Sequence, residues 1–256
     1  MLCVLFWVVS VTATALIYLA VPTLSLWWCI PMLIGGFLGA IILWLILLAL
    51  LTPFWAPRRE PVGFCRWAIV YTCAFVTDIL GYRLRLENAH LLPDVPFLLV
   101  QNHRSALDPM ATLALLNNRG TVFISKPENV RIPLVGSYMR HAGFLAIDRE
   151  HARKAVATIR EAADHITRRG LCVGIYPEGT RSKTGHLQEF RQGAFKIATL
   201  AKAPVAVTTI RQVKPAHWYQ RKLLLVRVVD VIPAGEATAT AAMSQRAHAA
   251  MAEDLE

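Results

Sequence analysis

A histidine and an aspartate stand five positions apart in Asn102-His103-Arg104-Ser105-Ala106-Leu107-Asp108. The apolar run Phe97-Leu98-Leu99-Val100 leads into them, which places the pair just past a buried strand. An imidazole takes a proton from an alcohol near neutral pH. A carboxylate on its other nitrogen fixes the tautomer and stabilises the imidazolium that forms. Asp108 also reads as a helix cap, because Pro109 follows it and proline is favoured at the first helical position. The two roles are compatible, since a capping carboxylate keeps a second oxygen. The residue before a proline avoids helical geometry, so a turn is expected between His103 and Asp108. Asn118 and Gly120 should close the helix beyond. There is no Gly-x-Ser-x-Gly elbow, so the histidine is expected to activate a substrate hydroxyl, not a protein one.

Three further charged groups follow apolar runs. Lys126 comes after Thr121–Ser125, Arg149 after Phe144–Ile147, and Arg181 lies in Tyr176-Pro177-Glu178-Gly179-Thr180-Arg181-Ser182 after Leu171–Tyr176. Gly179 permits a tight turn, and Thr180, Arg181 and Ser182 supply donors, the arginine a forked one suited to phosphate or carboxylate. Each group also has a plainer reading. The Tyr176–Ser182 stretch fits an ordinary polar loop, Asp148 and Arg149 fit a helix cap, and Lys126 fits a solvated surface. In open α/β sheets the carboxyl ends of the strands form one ligand-binding edge, which would bring the three cations near His103.

The elements that must position these groups alternate. Strands are expected at Arg83–Leu86, Phe97–Gln101, Thr121–Ser125, Phe144–Ile147, Leu171–Tyr176, Val205–Ile210 and Leu223–Val229. The clearest helix runs from His151 to Arg168, where Val156, Ile159, Ala163 and Ile166 recur at helical spacing and Gly170 ends it. A second runs from Gly193 to Lys202, and the alanine-rich tail after Pro233 reads as a third. This alternation predicts an α/β fold, with a mixed, largely parallel sheet flanked by helices.

Ahead of this region the chain has a different character. Among 256 residues with a net charge of +10, no Asp, Glu, Lys, Arg or His precedes Arg58. Leu2–Ala20 and Leu26–Leu51 are apolar and long enough for two transmembrane helices. Tyr18, Trp27, Trp28 and Trp55 suit the two membrane interfaces. Arg58 and Arg59 place that end on the cytoplasmic side. The expected organisation is therefore a membrane-embedded helical segment over 1–57, an interfacial or packing helix over 58–81, and a catalytic domain over 82–256. A basic domain beside apolar segments implies an anionic partner. Nucleic acid is not expected, because no zinc-finger spacing, RNA-binding motif or aromatic-interleaved basic run occurs. Cys3, Cys29, Cys65, Cys73 and Cys172 form no Cys-x-x-Cys pair and read as small hydrophobes, with no disulfide and no zinc site.

Taken together, the blocks resemble the glycerolipid acyltransferase family typified by 1-acylglycerol-3-phosphate acyltransferase. Asn102 to Asp108 matches the family's Asn-His-x-x-x-x-Asp. Tyr176 to Ser182 matches its Pro-Glu-Gly-Thr-Arg-Ser, with tyrosine where phenylalanine is commoner. Gly143 to Arg149 matches Gly-x-x-x-Ile-x-Arg, Ala203 to Val205 matches the late Ala-Pro-Val, and Phe190 to Ala194 is similar to the segment after the Glu-Gly loop. Thr208 and Thr209 depart from the family's Pro and Val. The resemblance implies acyl transfer from acyl-CoA or acyl carrier protein to the free hydroxyl of a lysophosphatidic acid, giving phosphatidic acid for phospholipid synthesis. His103 would be the general base and Asp108 its orienter, with no acyl-enzyme. Thr180 and Arg181, with Lys126 and Arg149, would hold the phosphate in the loop that Gly179 turns. Glu178 would orient a donor or help to bind the glycerol. Neither a metal nor a tightly bound cofactor is implied. The expected location is the inner membrane, with lipids as partners. Rival readings are a relative acting on glycerol-3-phosphate, another lysophospholipid or an amino acid lipid, and a non-catalytic lipid-binding protein.

Overall fold

The computed structural model describes residues 2–21, 23–51, 61–148, 151–182, 186–215, 217, 219–237 and 239–256. Trp55, Arg58, Arg59 and Arg149, all used above, lie outside the described residues. The chain divides into two compact units, Met1–Ala56 and Pro57–Glu256.

The first unit is an antiparallel helical hairpin of α1 (Leu2–Ala20) and α2 (Cys29–Leu50). Nineteen residues of α1 rise about 28 Å, close to the thickness of a bilayer's hydrocarbon core. Both helices are long and apolar enough to cross a membrane. Ser10 is fully buried between them, and its hydroxyl donates to the Leu33 carbonyl at 2.6 Å. A side chain at Gly36 would sit 2.7 Å from that hydroxyl, so glycine is what lets the backbones close. Phe37 then stacks on Trp7 at 4.7 Å. Leu, Ile and Val side chains cover the outer faces, a surface suited to lipid and not to water.

The second unit opens with α3 (Gly63–Ile79), which packs on α4 (Leu107–Leu115) and α5 (Val135–Ala142). It buries Cys65, Ala68, Val70, Cys73 and Phe75. Burial pushes the Cys73 thiol up to about 12, so it behaves as an inert hydrophobe. The remaining helices are α6 (Ala152–Thr167), α7 (Lys196–Ala201) and α8 (Thr240–Leu255).

The seven expected strands all form: β1 (Tyr82–Glu87), β2 (Leu98–Gln101), β3 (Val122–Ser125), β4 (Leu145–Ala146), β5 (Val173–Ile175), β6 (Val205–Val213) and β7 (Lys222–Ile232). They make one sheet in the order β1-β7-β6-β2-β5-β3-β4. Only β6 and β7 pair antiparallel, while the other five pairings are parallel. β2 lies between β6 and β5. Phe97, Leu98, Leu99 and Val100 are fully buried, as an unbroken apolar run in a covered parallel sheet must be. The loop carrying His103 therefore springs from one of the most buried strands of the domain.

Candidate active site

Asn102 ends β2 by imitating a strand. Its side-chain amide donates to the Ile210 carbonyl at 3.1 Å, and its side-chain oxygen accepts from the Ile210 N–H at 2.7 Å. The polar pair is buried and fully used, so it locks the chain where it leaves the sheet. His103 follows directly and is held at its own backbone on both sides. Its N–H donates to Glu178 Oε1 at 2.7 Å, and its carbonyl accepts from the Ser182 N–H at 2.8 Å. The two motifs separated by some seventy residues are thus bolted together at the histidine.

The ring is held as firmly. His103 Nδ1 lies 2.9 Å from Asp108 Oδ2. The same oxygen accepts the N–H groups of Arg104 and Ser105, each at 2.6 Å. An oxygen taking two backbone donors is an acceptor for the imidazole too, so Nδ1 carries the proton and Nε2 carries the lone pair. The ring face stacks on Tyr176 at 4.1 Å, and Tyr176 stacks on Phe123 at 5.3 Å. Phe123 reaches this position across its strand neighbour Gly174, where any side chain would meet the Phe123 ring at 2.4 Å. The Tyr176 hydroxyl is buried without a partner among the described residues. Burial, with the Asp108 charge, pushes its pKa well above the usual tyrosine range.

Two expectations change in detail. Asp108 was expected to cap α4 with Pro109 as its first residue. The helix instead begins at Leu107, and Asp108 lies inside its first turn. Its carboxylate turns back to upstream N–H groups, and Ser105 Oγ accepts the Leu107 N–H at 3.2 Å. The cause is the tight Ser105–Asp108 turn, closed by the Asp108 N–H to the Ser105 carbonyl at 3.2 Å. Glu178 is 5% exposed and gives Oε1 to His103 and Oε2 to the Gln188 N–H at 3.2 Å. Of the two roles expected for it, orienting a donor or helping to bind the glycerol, these bonds match the first, since they hold the N–H donors of the two loops.

Burial raises the Glu178 pKa above 4.5, against the N–H bonds that lower it. The folded chain then holds this proton more tightly than the unfolded one. Its contribution is greatest below the unfolded value and declines as pH rises through the folded one. Glu178→Gln keeps one acceptor but turns its NH₂ on the Gln188 N–H. It should cost about 1–3 kcal/mol, measured by thermal melts. The gap from the parent should narrow as pH rises, and a gap that widens would contradict the burial argument.

His103 opens into a cavity of about 520 Å³, a normal size for a ligand site. Its apolar wall includes Phe123, Ile124, Ile147, Ile159 and Ile175. Its polar wall includes Lys126, Thr180, Arg181 and Arg191. Gly179 shapes the turn beside them with φ +81°, closed by its N–H to the Tyr176 carbonyl at 3.1 Å. Thr180 Oγ1 donates to Gln188 Oε1 at 3.2 Å. The structure therefore gathers His103, Lys126, Gly179, Thr180 and Arg181 around one space, with Asp108 and Glu178 behind it.

The acyltransferase family profile matches residues 83–211. The chain belongs to the acyltransferase family. Among curated acyltransferases it is 30% identical over 165 residues to human 1-acyl-sn-glycerol-3-phosphate acyltransferase beta, covering 62% of this chain and 59% of that one. It is 30% identical over 187 residues to the human alpha enzyme, covering 71% and 64%. A chloroplastic enzyme of the same description from Arabidopsis thaliana is 37% identical over 131 residues, covering 50% and 35%. The chain thus spans less than two thirds of the length of each of these relatives. The crystal structure of the 1-acyl-sn-glycerophosphate acyltransferase PlsC from Thermotoga maritima superposes with a TM-score of 0.61 at 21% identity, over 74% of this chain and 78% of that one. That likeness bears out the α/β fold.

Three details of the site come from the structure and not from residue type. Asp148, read in the sequence as a helix cap, bonds the His151 N–H at 3.3 Å and ring at 2.8 Å at the start of α6. Tyr176 works through its ring, which only the cross-strand Gly174 reveals. Arg191, inside the Phe190–Ala194 segment, was given no role from the sequence, and it lines the cavity.

Proposed function

We propose that this protein transfers an acyl chain from a thioester donor, acyl-CoA or acyl carrier protein, to the free hydroxyl of 1-acylglycerol 3-phosphate, forming phosphatidic acid. One observation carries the reading: an imidazole held by Asp108 at 2.9 Å opens into a cavity with an apolar wall and a cationic wall. An acyl chain and a phosphate need those two walls. The activity named for the curated relatives supports the same substrate class.

In this mechanism His103 Nε2 takes the proton of the glycerol hydroxyl as that oxygen bonds to the thioester carbonyl carbon. The tetrahedral intermediate collapses by breaking the carbon–sulfur bond, and the proton passes to the departing thiolate. General base catalysis supplies about 10²–10⁴-fold. Placing the hydroxyl against the thioester supplies the rest. Asp108 acts as orienter, and Lys126, Thr180 and Arg181 bind the phosphate, together with Arg149. The catalytic domain spans 82–256. The apolar hairpin keeps the enzyme where its two-tailed product must stay, and Arg58 and Arg59 place the catalytic domain on the cytoplasmic side of the inner membrane.

The test uses the full chain in detergent or nanodiscs with a panel of acceptors. The panel holds 1-acylglycerol 3-phosphate, glycerol 3-phosphate, lysophosphatidylcholine, an amino acid lipid and 1-acylglycerol. The first should be preferred. Preference for an acceptor without phosphate would overturn the reading. Arg181→Ala should raise the acceptor KM by about 10-fold or more, the loss of one charge-assisted fork, with the donor KM within about twofold. Equal effects on both KM values would remove Arg181 from the phosphate site.

A further inference from the structure

The cavity beside His103 carries Lys126, Arg181 and Arg191 on its wall, and no carboxylate is among its described lining residues. Arg191 is held there by its backbone. Its N–H donates to the Pro177 carbonyl at 2.9 Å, and its carbonyl accepts from the Ala194 N–H at 3.0 Å. Its neighbour Phe190 is anchored against His248 at 4.9 Å. The side chain then crosses the bare face of Gly179. A Cβ at that glycine would lie 2.8 Å from Arg191 Nε and 3.3 Å from its Cδ. Glycine at 179 serves the positive φ and also leaves room for the arginine as it is placed here. Other arginines of the domain meet acids: Arg227 meets Glu87 and Asp254, and Arg246 meets Asp230 and Glu236. The Arg191 guanidinium meets no carboxylate among the described residues. Arg191 is solvent-exposed on the wall of this cleft, and a cation there with no acid opposite is available to an anionic ligand.

We propose that Arg191 binds the phosphate of the acceptor beside Arg181 and sets the preference for a phosphate monoester over a phosphodiester. The proposal rests on the acyl-transfer reading for the identity of the acceptor. A monoester carries nearly two negative charges at neutral pH and three free oxygens, enough for two guanidinium forks and an ammonium. A diester headgroup carries one charge and two free oxygens. It leaves part of that cationic set without a partner, and the penalty selects against it. Loss of Arg191 should therefore cost the monoester more than the diester.

The experiment measures binding and turnover with the full chain in nanodiscs, comparing the parent, Arg191→Gln and Arg191→Lys. Glycerol 3-phosphate and glycerophosphocholine are the binding probes, by calorimetry. Arg191→Gln should weaken glycerol 3-phosphate about 10-fold or more and glycerophosphocholine less than about threefold. Arg191→Lys should fall between, because it keeps the charge and loses the fork. In turnover, the 1-acylglycerol 3-phosphate KM should rise in parallel, with kcat and the donor KM nearly unchanged. Unchanged glycerol 3-phosphate binding in Arg191→Gln overturns the proposal, as does a rise confined to the donor KM. If the parent binds glycerol 3-phosphate and transfers no acyl chain, the acyl-transfer reading fails while the binding comparison still decides the role of Arg191. If the parent binds no glycerol 3-phosphate, the proposal is overturned directly.

Discussion

His103→Ala should lower kcat by about 10²–10⁴-fold, the range that a positioned general base supplies, while both KM values stay within a few-fold. The substitution is unusually clean because the histidine's structural bonds belong to its backbone. Its N–H to Glu178 and its carbonyl to Ser182 both survive in alanine. Asp108 keeps the Arg104 and Ser105 N–H groups, so its carboxylate is not stranded. The ring loses its stacking on Tyr176, a contact worth about 0.5–1.5 kcal/mol. The fold should therefore persist, with a melting temperature lowered by only a few degrees. Residual acyl transfer above about a tenth of the parent rate, in a variant that melts normally, would exclude His103 as the base. A fall in rate together with collapse of the fold would instead show that the ring is structural, which the backbone anchoring argues against.

What the sequence shows and hides at this site follows from range. The strands were legible because burial on both faces demands unbroken apolar runs, as in Phe97–Val100, and turn residues bound them. The strand order, and the one antiparallel pairing of β6 with β7, were not, because pairing partners are set by contacts across the whole domain. His103 and Asp108 were legible because their partnership is local, five residues apart. Glu178 shows the opposite case. From residue type alone this acid could orient a donor or bind glycerol, and only tracing its two oxygens shows that they accept the N–H groups of His103 and Gln188. Tyr176 needed Gly174 and Phe123 from two neighbouring strands. Arg191 needed the empty face of Gly179. In each case the deciding atom was backbone, or the absence of a side chain, which residue type alone does not reveal.

Asp108 supplies the second large effect, and the two natural substitutions should separate its roles. Asp108→Ala removes the orienter and the acceptor for two backbone N–H groups. It should lower kcat by about 10³-fold or more, approaching the loss of the base itself, and destabilise the fold by about 0.5–2 kcal/mol, as loss of a helix-start acceptor does. Asp108→Asn should be milder. All three donors, His103 Nδ1 and the N–H groups of Arg104 and Ser105, converge on the single oxygen Oδ2. An asparagine can place its one carbonyl oxygen there and keep every donor satisfied, so the imidazole keeps its tautomer with Nε2 facing the cavity. What it loses is the negative charge beside the imidazolium that forms as the hydroxyl is deprotonated. Replacing a charge-assisted hydrogen bond by a neutral one costs about 1–2 kcal/mol, or roughly 5- to 30-fold in kcat. Stability should be nearly that of the parent. The order expected is therefore parent, then Asn, then Ala, in both kcat and melting temperature. If Asn is as inactive as Ala while melting like the parent, the amide nitrogen faces the ring, the tautomer is reversed, and the convergence on one oxygen does not survive loss of the charge.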